Sequence, residues 1–302
     1  DINIDVPDKC IRVIMGLSGS GKSTLIRHIN RLIEPTSGEV LVGGEDVLAM
    51  SDEELKNFRR SKASMVFQKF ALLPHRTVIE NVGYGLQIQK ISETEINKRS
   101  QHWIDRVGLT GFEDHYPAQL SGGMQQRVGL ARALATDAEI LLMDEAFSAL
   151  DPLIRTDMQG ILLGLQEELH KTIVFITHDL DEALRIGDEI SILRDGEVVQ
   201  QGTSQEIVMT PSDDYIADFI KDVNRARVLE VRSIMEPSKT DKGPRLDLTT
   251  PLEDAMGKLS EAGETSACVV DDKGHVIGKI ELSAAISAIK RPEKTSNELR
   301  YR

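Results

Sequence analysis

The 302-residue sequence predicts an α/β fold with a smaller α/β unit behind it. Short apolar runs alternate with helix-length amphipathic patterns through the first two thirds of the chain. A glycine-rich loop joins the first apolar run to the first helical pattern. After residues 224–228 the alternation resumes on a smaller scale.

Residues 11–15 are a nearly continuous apolar run, the pattern of a strand buried on both faces. The loop comes next, then a helix from about residue 23. Further strands are predicted at 63–67, 139–143, 172–176 and 189–193, and helices at 52–60, 93–107, 122–134, 152–170 and 179–185. Arg194-Asp195-Gly196-Glu197 carries a hairpin turn signal, so 196–202 reads as the returning arm. In the smaller unit a helix at 252–259 precedes strands at 267–270 and 276–280, joined through Asp271-Asp272-Lys273-Gly274, and a closing helix. From Lys290 the chain is a polar tail, with a solvated tail favoured over a weak contact with anionic lipid.

Composition excludes several function classes. Hydrophobic residues make up 40% and charged residues 28%, ordinary for a globular protein. Aromatics are only 4%, so the core rests on Leu, Ile, Val, Met and Ala. No apolar run approaches the roughly 18 residues that span a bilayer, and the acidic start lacks the layout of a signal peptide. Cys10 and Cys268 fit no metal-ligand spacing, which suits a reduced, cytoplasmic chain. A net charge of −13 argues against nucleic acid as a partner. Residues 228–302 hold 12 basic and 13 acidic residues, so the excess acid precedes them.

Gly16-Leu17-Ser18-Gly19-Ser20-Gly21-Lys22-Ser23 fits G-x-x-x-x-G-K-[ST] and sits between a predicted strand and helix. Backbone N–H groups reach a polyphosphate only where no side chain intrudes, and a helix N-terminus favours anions. Gly16, Ser18, Gly19, Ser20, Gly21, Lys22, Ser23 and Thr24 are therefore the candidate ATP-phosphate residues, with Lys22 as the point charge and the Ser23 hydroxyl as a Mg²⁺ ligand. The plainer alternative is a flexible glycine turn beside a chance Lys-Ser pair.

Ile140-Leu141-Leu142-Met143-Asp144-Glu145 is an apolar strand ending in two carboxylates. Asp144 is the candidate second holder of Mg²⁺, and Glu145 the group that polarises the attacking water. Alone, the pair reads equally well as solvated acids at a strand end.

Leu120-Ser121-Gly122-Gly123-Met124-Gln125-Gln126 resembles the signature motif of ABC-type ATPases, with Met124 where Gln is commoner. Gln68 resembles that family's Q-loop glutamine, Ser148-Ala149-Leu150-Asp151 its D-loop and His178 its switch histidine, all in the family's order. The resemblance implies a P-loop NTPase domain of ABC ATPase type, a RecA-like core plus a helical subdomain, over residues 1–225. It implies catalytic roles for Glu145, His178 and Gln68, with Gln68 also a Mg²⁺ residue beside Ser23 and Asp144. It implies a homodimer in which Ser121, Gly122, Gly123 and Gln125 meet the partner's ATP and Asp151 lies in the D-loop. Taken alone, His178 is more often structural.

Finer wording narrows the resemblance. Phe70-Ala71-Leu72-Leu73-Pro74-His75 and the run from Met143 to Arg155 are similar to ATPases of glycine betaine/proline-type uptake systems, wording shared with systems for other quaternary amines and amine oxides. That implies ATP-driven import through integral-membrane permease subunits with a substrate-binding protein, at the cytoplasmic face of the membrane. Another importer class, or a non-transport ABC ATPase, are the competing readings. Family members usually place an adenine-stacking aromatic upstream of the phosphate loop. Residues 1–10 hold none, so the chain reads as one that starts late.

Val231-Arg232-Ser233-Ile234-Met235 and the stretch from Ala267 to Gly278 resemble a single CBS motif, giving a CBS-like unit at 228–290 and a tail at 291–302. A dimerisation role and a sensory role stand level. The segment Leu282-Ser283-Ala284-Ala285-Ile286 lacks the Asp common in nucleotide-binding CBS motifs.

Overall fold

A computed structural model describes residues 2–290. The expected polar tail at 291–302 lies outside the described residues. The chain divides into two compact units, one ending at Gln201 and one beginning at Gly202.

The first unit opens with β1 (Ile11–Gly16), buried along its whole length, and α1 (Lys22–Ile29). A small hairpin comes next, β2 (Leu41–Val42) and β3 (Glu45–Asp46). It leads to α2 (Asp52–Ser61), β4 (Ala63–Phe67), α3 (Val78–Ile88), α4 (Glu93–Arg106) and α5 (Gly122–Ala135). The remainder is β5 (Ile140–Asp144), α6 (Pro152–Leu169), β6 (Thr172–Thr177), α7 (Leu180–Ile186), β7 (Glu189–Arg194) and β8 (Glu197–Gly202).

The strands form one sheet in the order β4-β5-β6-β1-β7-β8. The pairs from β4 to β7 are all parallel. A parallel sheet covered on both faces needs apolar residues at successive positions, and Val13, Ile14 and Met15 of β1 and Leu142 and Met143 of β5 are each no more than 1% exposed. The expected hairpin at 194–197 is present, with Asp195 and Gly196 both at positive φ, as a type I′ turn requires.

A second core lies among α3, α4 and α5, where Val78, Val82 and Leu86 pack with Ile104, Val107 and Val128. This is the helical subdomain. Helix α3 is masked in the sequence, because Gly83 and Gly85 weaken its helical pattern. Both glycines serve packing. A Cβ at Gly83 would sit 2.7 Å from Ile96 Cγ2, and one at Gly85 2.4 Å from Thr136 Cγ2.

The second unit holds α8 (Ser204–Met209), α9 (Asp214–Phe219), α10 (Arg225–Val228), β9 (Glu236–Pro237) and β10 (Arg245–Asp247). It closes with α11 (Leu252–Ala262), β11 (Ser266–Val270), β12 (Val276–Glu281) and α12 (Leu282–Ile289). Its sheet runs β10-β11-β12-β9. The break between units falls ahead of the change of pattern at 224–228, because α8 is bonded to α10, and α10 in turn to α12. Gln205 Nε2 donates to Val228 O at 2.9 Å, and Arg225 donates to Val208 O at 2.6 Å and Ala288 O at 2.9 Å.

Candidate functional site

Strand order assembles the site. In register, Phe67 of β4 faces Asp144 of β5, Asp144 faces Ile176 of β6, and Ile176 faces Ile14 of β1. Parallel strands end on the same edge. Gln68, Glu145, His178 and the glycine-rich loop each come directly after one of these four strands, so they share that edge, where open α/β sheets bind ligands.

The loop turns from β1 into α1. Gly16 has φ +157° and lies against β7, where a Cβ would come 2.3 Å from Leu193 O. Gly21 caps α1 in the left-handed region, φ +97°. Lys22 is 4% exposed and curls over the loop, Nζ donating to Gly16 O at 2.7 Å and Leu17 O at 2.9 Å. Burial lowers its pKa, opposed by the nearby Glu145 and Asp144 carboxylates. Ser20 Oγ is buried with no partner among the described residues, an orphan that a phosphate oxygen would satisfy. Ser18, Gly19 and Thr24 are exposed.

Ser23 Oγ donates to Asp144 Oδ1 at 2.7 Å, and Asp144 Oδ2 accepts from Arg27 at 3.0 Å. Among the described residues no group of three or more His, Cys, Asp or Glu side chains could hold a metal ion. One hydroxyl and one carboxylate nevertheless fit Mg²⁺, which keeps several waters and takes its other oxygens from substrate phosphates. Arg27 escaped the sequence reading, since its partner lies 117 positions away.

Glu145 leaves β5 in the left-handed region, φ +47°, a costly conformation for a residue with a Cβ. Its N–H donates to Ile176 O at 3.1 Å, and Ser148 Oγ donates to its carbonyl at 2.9 Å. The carboxylate is thereby presented at the strand edge. Gln68 Nε2 donates to Glu145 Oε2 at 3.1 Å and to Ser148 Oγ at 3.0 Å. His178 Nδ1 lies 3.4 Å from the same Glu145 Oε2. Gln68, Glu145 and His178, three separate sequence motifs, therefore converge on one carboxylate oxygen. Ser148 completes the cluster and was singled out in the sequence only as part of its motif. Arg155 supports the surroundings, reaching Asp179 at 2.7 Å and the carbonyls of Ser148 and Leu150 at 3.4 and 3.3 Å.

The remaining candidates stand apart. Ser121 caps α5, its Oγ accepting from Met124 N at 3.3 Å, and Gly122 and Gly123 open that helix. Gln125 donates to Pro117 O and Leu120 O at 3.0 and 3.2 Å. Asp151 caps α6, accepting from Ile154 N at 3.1 Å. Among the described residues no hydrogen bond or ion pair joins Ser121, Gly122, Gly123, Gln125 or Asp151 to residues 16–24. Within one chain, then, the site has a phosphate loop, a metal-suited pair and a carboxylate cluster, but not the α5 N-terminus.

Comparison with known proteins places this geometry. Residues 1–148 match the family model described as ABC transporter. The chain is 53% identical over 289 residues to the glycine betaine transport ATP-binding protein OpuAA of Bacillus subtilis (strain 168), covering 95% of this chain and 67% of that protein. It is 53% identical over 296 residues to the glycine betaine/proline betaine transport system ATP-binding protein ProV of Escherichia coli (strain K12), covering 97% and 73%. The solved dimeric post-hydrolysis state of the ATP-binding cassette MJ0796, bound to ADP and Pi, matches with a TM-score of 0.63 at 39% identity, covering 68% of this chain and 89% of that one.

Proposed function

This chain belongs to the ATP-binding proteins of ABC transporters, and from that premise we propose that it hydrolyses ATP to drive uptake of a quaternary amine of the glycine betaine and proline betaine kind. The observation that carries the reading is the meeting of Gln68, Glu145 and His178 beside a phosphate loop. The solute class rests on the names of the relatives, and the import direction on the resemblance of the sequence motifs alone.

On this reading the N–H groups of residues 16–24 and the Lys22 ammonium hold the phosphates. Ser23 and Asp144 would hold Mg²⁺, which would supply charge neutralisation. Glu145 accepts the proton of the attacking water, Gln68 orients that water, and His178 donates to the γ-phosphate. A second copy supplies Ser121, Gly122, Gly123 and Gln125 to the same nucleotide, with Asp151 at the junction. That accounts for the separation of α5 from the loop within one chain. ATP then joins the two copies, and its hydrolysis releases them.

No helix among the described residues is long and apolar enough to cross a membrane. By resemblance to its family, the reading places the solute path on separate permease subunits, served by a substrate-binding protein, and this chain at the cytoplasmic face. Residues 228–290, within the second unit, are read as a CBS-like regulatory or dimerisation module.

Membrane vesicles holding this subunit with its permease test the proposal, with glycine betaine, choline, carnitine, proline and trimethylamine N-oxide in competition. ATP-dependent uptake of one of them, lost in Glu145→Gln, is expected. Uptake of none, with ATPase activity intact, would move the chain to another importer class.

A further inference from the structure

Between β4 and α3 the backbone makes a left-handed passage. Phe70 and Ala71 both have positive φ, 56° and 49°. Neither is glycine, and a Cβ in this region crowds the following carbonyl. Two such residues in succession persist only where the surroundings hold them.

Arg132 of α5 does the holding. Its Nη2 donates to Phe70 O at 3.1 Å and its Nη1 to Ala71 O at 2.6 Å. Among the described residues no carboxylate pairs with this guanidinium, whose pKa burial lowers. Its fork is committed to two backbone carbonyls, a use that suits Arg and not Lys.

Phe70 lies along the same helix. A Cβ at Gly122 would be 3.8 Å from Phe70 Cζ, and one at Gly129 3.6 Å from Phe70 O. Gly122, Gly129 and Arg132 recur at spacings of seven and three, so they share a helix face. The loop is also fixed on either side of this passage. Gln68 is bonded to Glu145 and Ser148, while the buried Asn81 accepts from Leu73 N at 2.8 Å and donates to Leu73 O at 3.1 Å and Arg76 O at 3.0 Å.

We propose that Arg132 is a positioning residue for hydrolysis: by clamping Phe70 and Ala71 to α5 it sets Gln68 against Glu145, and it ties the reach of Gln68 to the helix whose N-terminus is Ser121. This rests on the ATPase reading. Arg132 touches no reacting atom. Without it the left-handed pair relaxes, and Gln68, two residues away, loses its place.

The test compares Arg132→Gln, Arg132→Lys and the double variant Arg132→Gln/Ala71→Gly in the full chain, measuring kcat and KM for ATP beside equilibrium ATP affinity. Arg132→Gln is expected to lower kcat about tenfold, or ~1.4 kcal/mol, with affinity changed less than about twofold. Arg132→Lys recovers part of the loss. The double variant also recovers part, because glycine takes positive φ freely and no longer needs the clamp. A merely structural role for Arg132 would lower stability and leave the kcat of the folded chain unchanged.

Wild-type kcat in Arg132→Gln, or a double variant no faster than Arg132→Gln, would overturn the proposal. Should Arg132→Gln fail to fold, Arg132→Lys decides: reduced kcat at unchanged affinity supports the clamp, and wild-type kcat refutes it. A wild-type chain that hydrolyses no ATP would instead remove the ATPase reading, and this inference with it.

Discussion

Ser23 and Asp144 lie 121 positions apart in sequence and meet at 2.7 Å, hydroxyl to carboxylate. One opens the helix after the phosphate loop and the other ends a strand two places along the sheet from β1. Neither position alone is a metal site, but together they offer the small oxygen set that Mg²⁺ accepts.

Asp144→Asn is therefore expected to raise the Mg²⁺ concentration for half-maximal ATPase activity about tenfold, the scale of one charged contact at ~1.4 kcal/mol. Titrating Mg²⁺ at saturating ATP reads this directly. An unchanged Mg²⁺ dependence would remove Asp144 from the metal.

Lys22→Ala removes the buried ammonium. A hydrogen bond to a charged group is worth about 1.5–3 kcal/mol, so ATP affinity should fall about tenfold to a hundredfold. Equilibrium binding of a fluorescent ATP analogue measures it. Wild-type affinity would mean that the phosphates lie elsewhere.

The elements of the first unit were legible where physics is local. Strand β4 falls where predicted, and β1, β5, β6 and β7 do so to within a residue, because a parallel sheet demands unbroken apolar runs. Helix α3 is not legible from its pattern, although Thr77 and Glu80 form a capping box that is visible in sequence. Its two glycines, required by neighbours Ile96 and Thr136, masked it. In the second unit α8 to α10 are four to six residues each, too short for a periodic pattern to show. Lys22, Ser23, Asp144 and Glu145 are legible as candidates because their chemistry suits a phosphate and a metal, whereas Gln68 and His178 come from the family resemblance alone. Arg27, Arg132 and Arg155 are not legible, because their partners depend on strand order and on loop conformation, which no local pattern encodes.

Cys10 gives a pH signature. Burial, then the Asp188 and Glu189 carboxylates, raises its pKa from 9.0 to about 11, against a smaller opposing effect of Arg12. Only the thiolate is nucleophilic, so alkylation at pH 8 should run about a hundredfold slower than for a thiol of ordinary pKa. In Cys268→Ser the rate should still be climbing at pH 10, and a plateau near pH 9 would contradict this environment. The sign for stability is fixed as well. The folded chain keeps this proton where the unfolded chain has lost it, so stability declines as pH rises from 9 towards 11.

The central claim is that Glu145, fixed by Gln68 and beside His178, turns bound ATP over. The direct measurement is ATP affinity and single-turnover hydrolysis of Glu145→Gln beside the wild type. Affinity within about twofold and hydrolysis slowed at least a hundredfold, the scale of a lost general base, is the expected result. Hydrolysis at the wild-type rate would contradict the account.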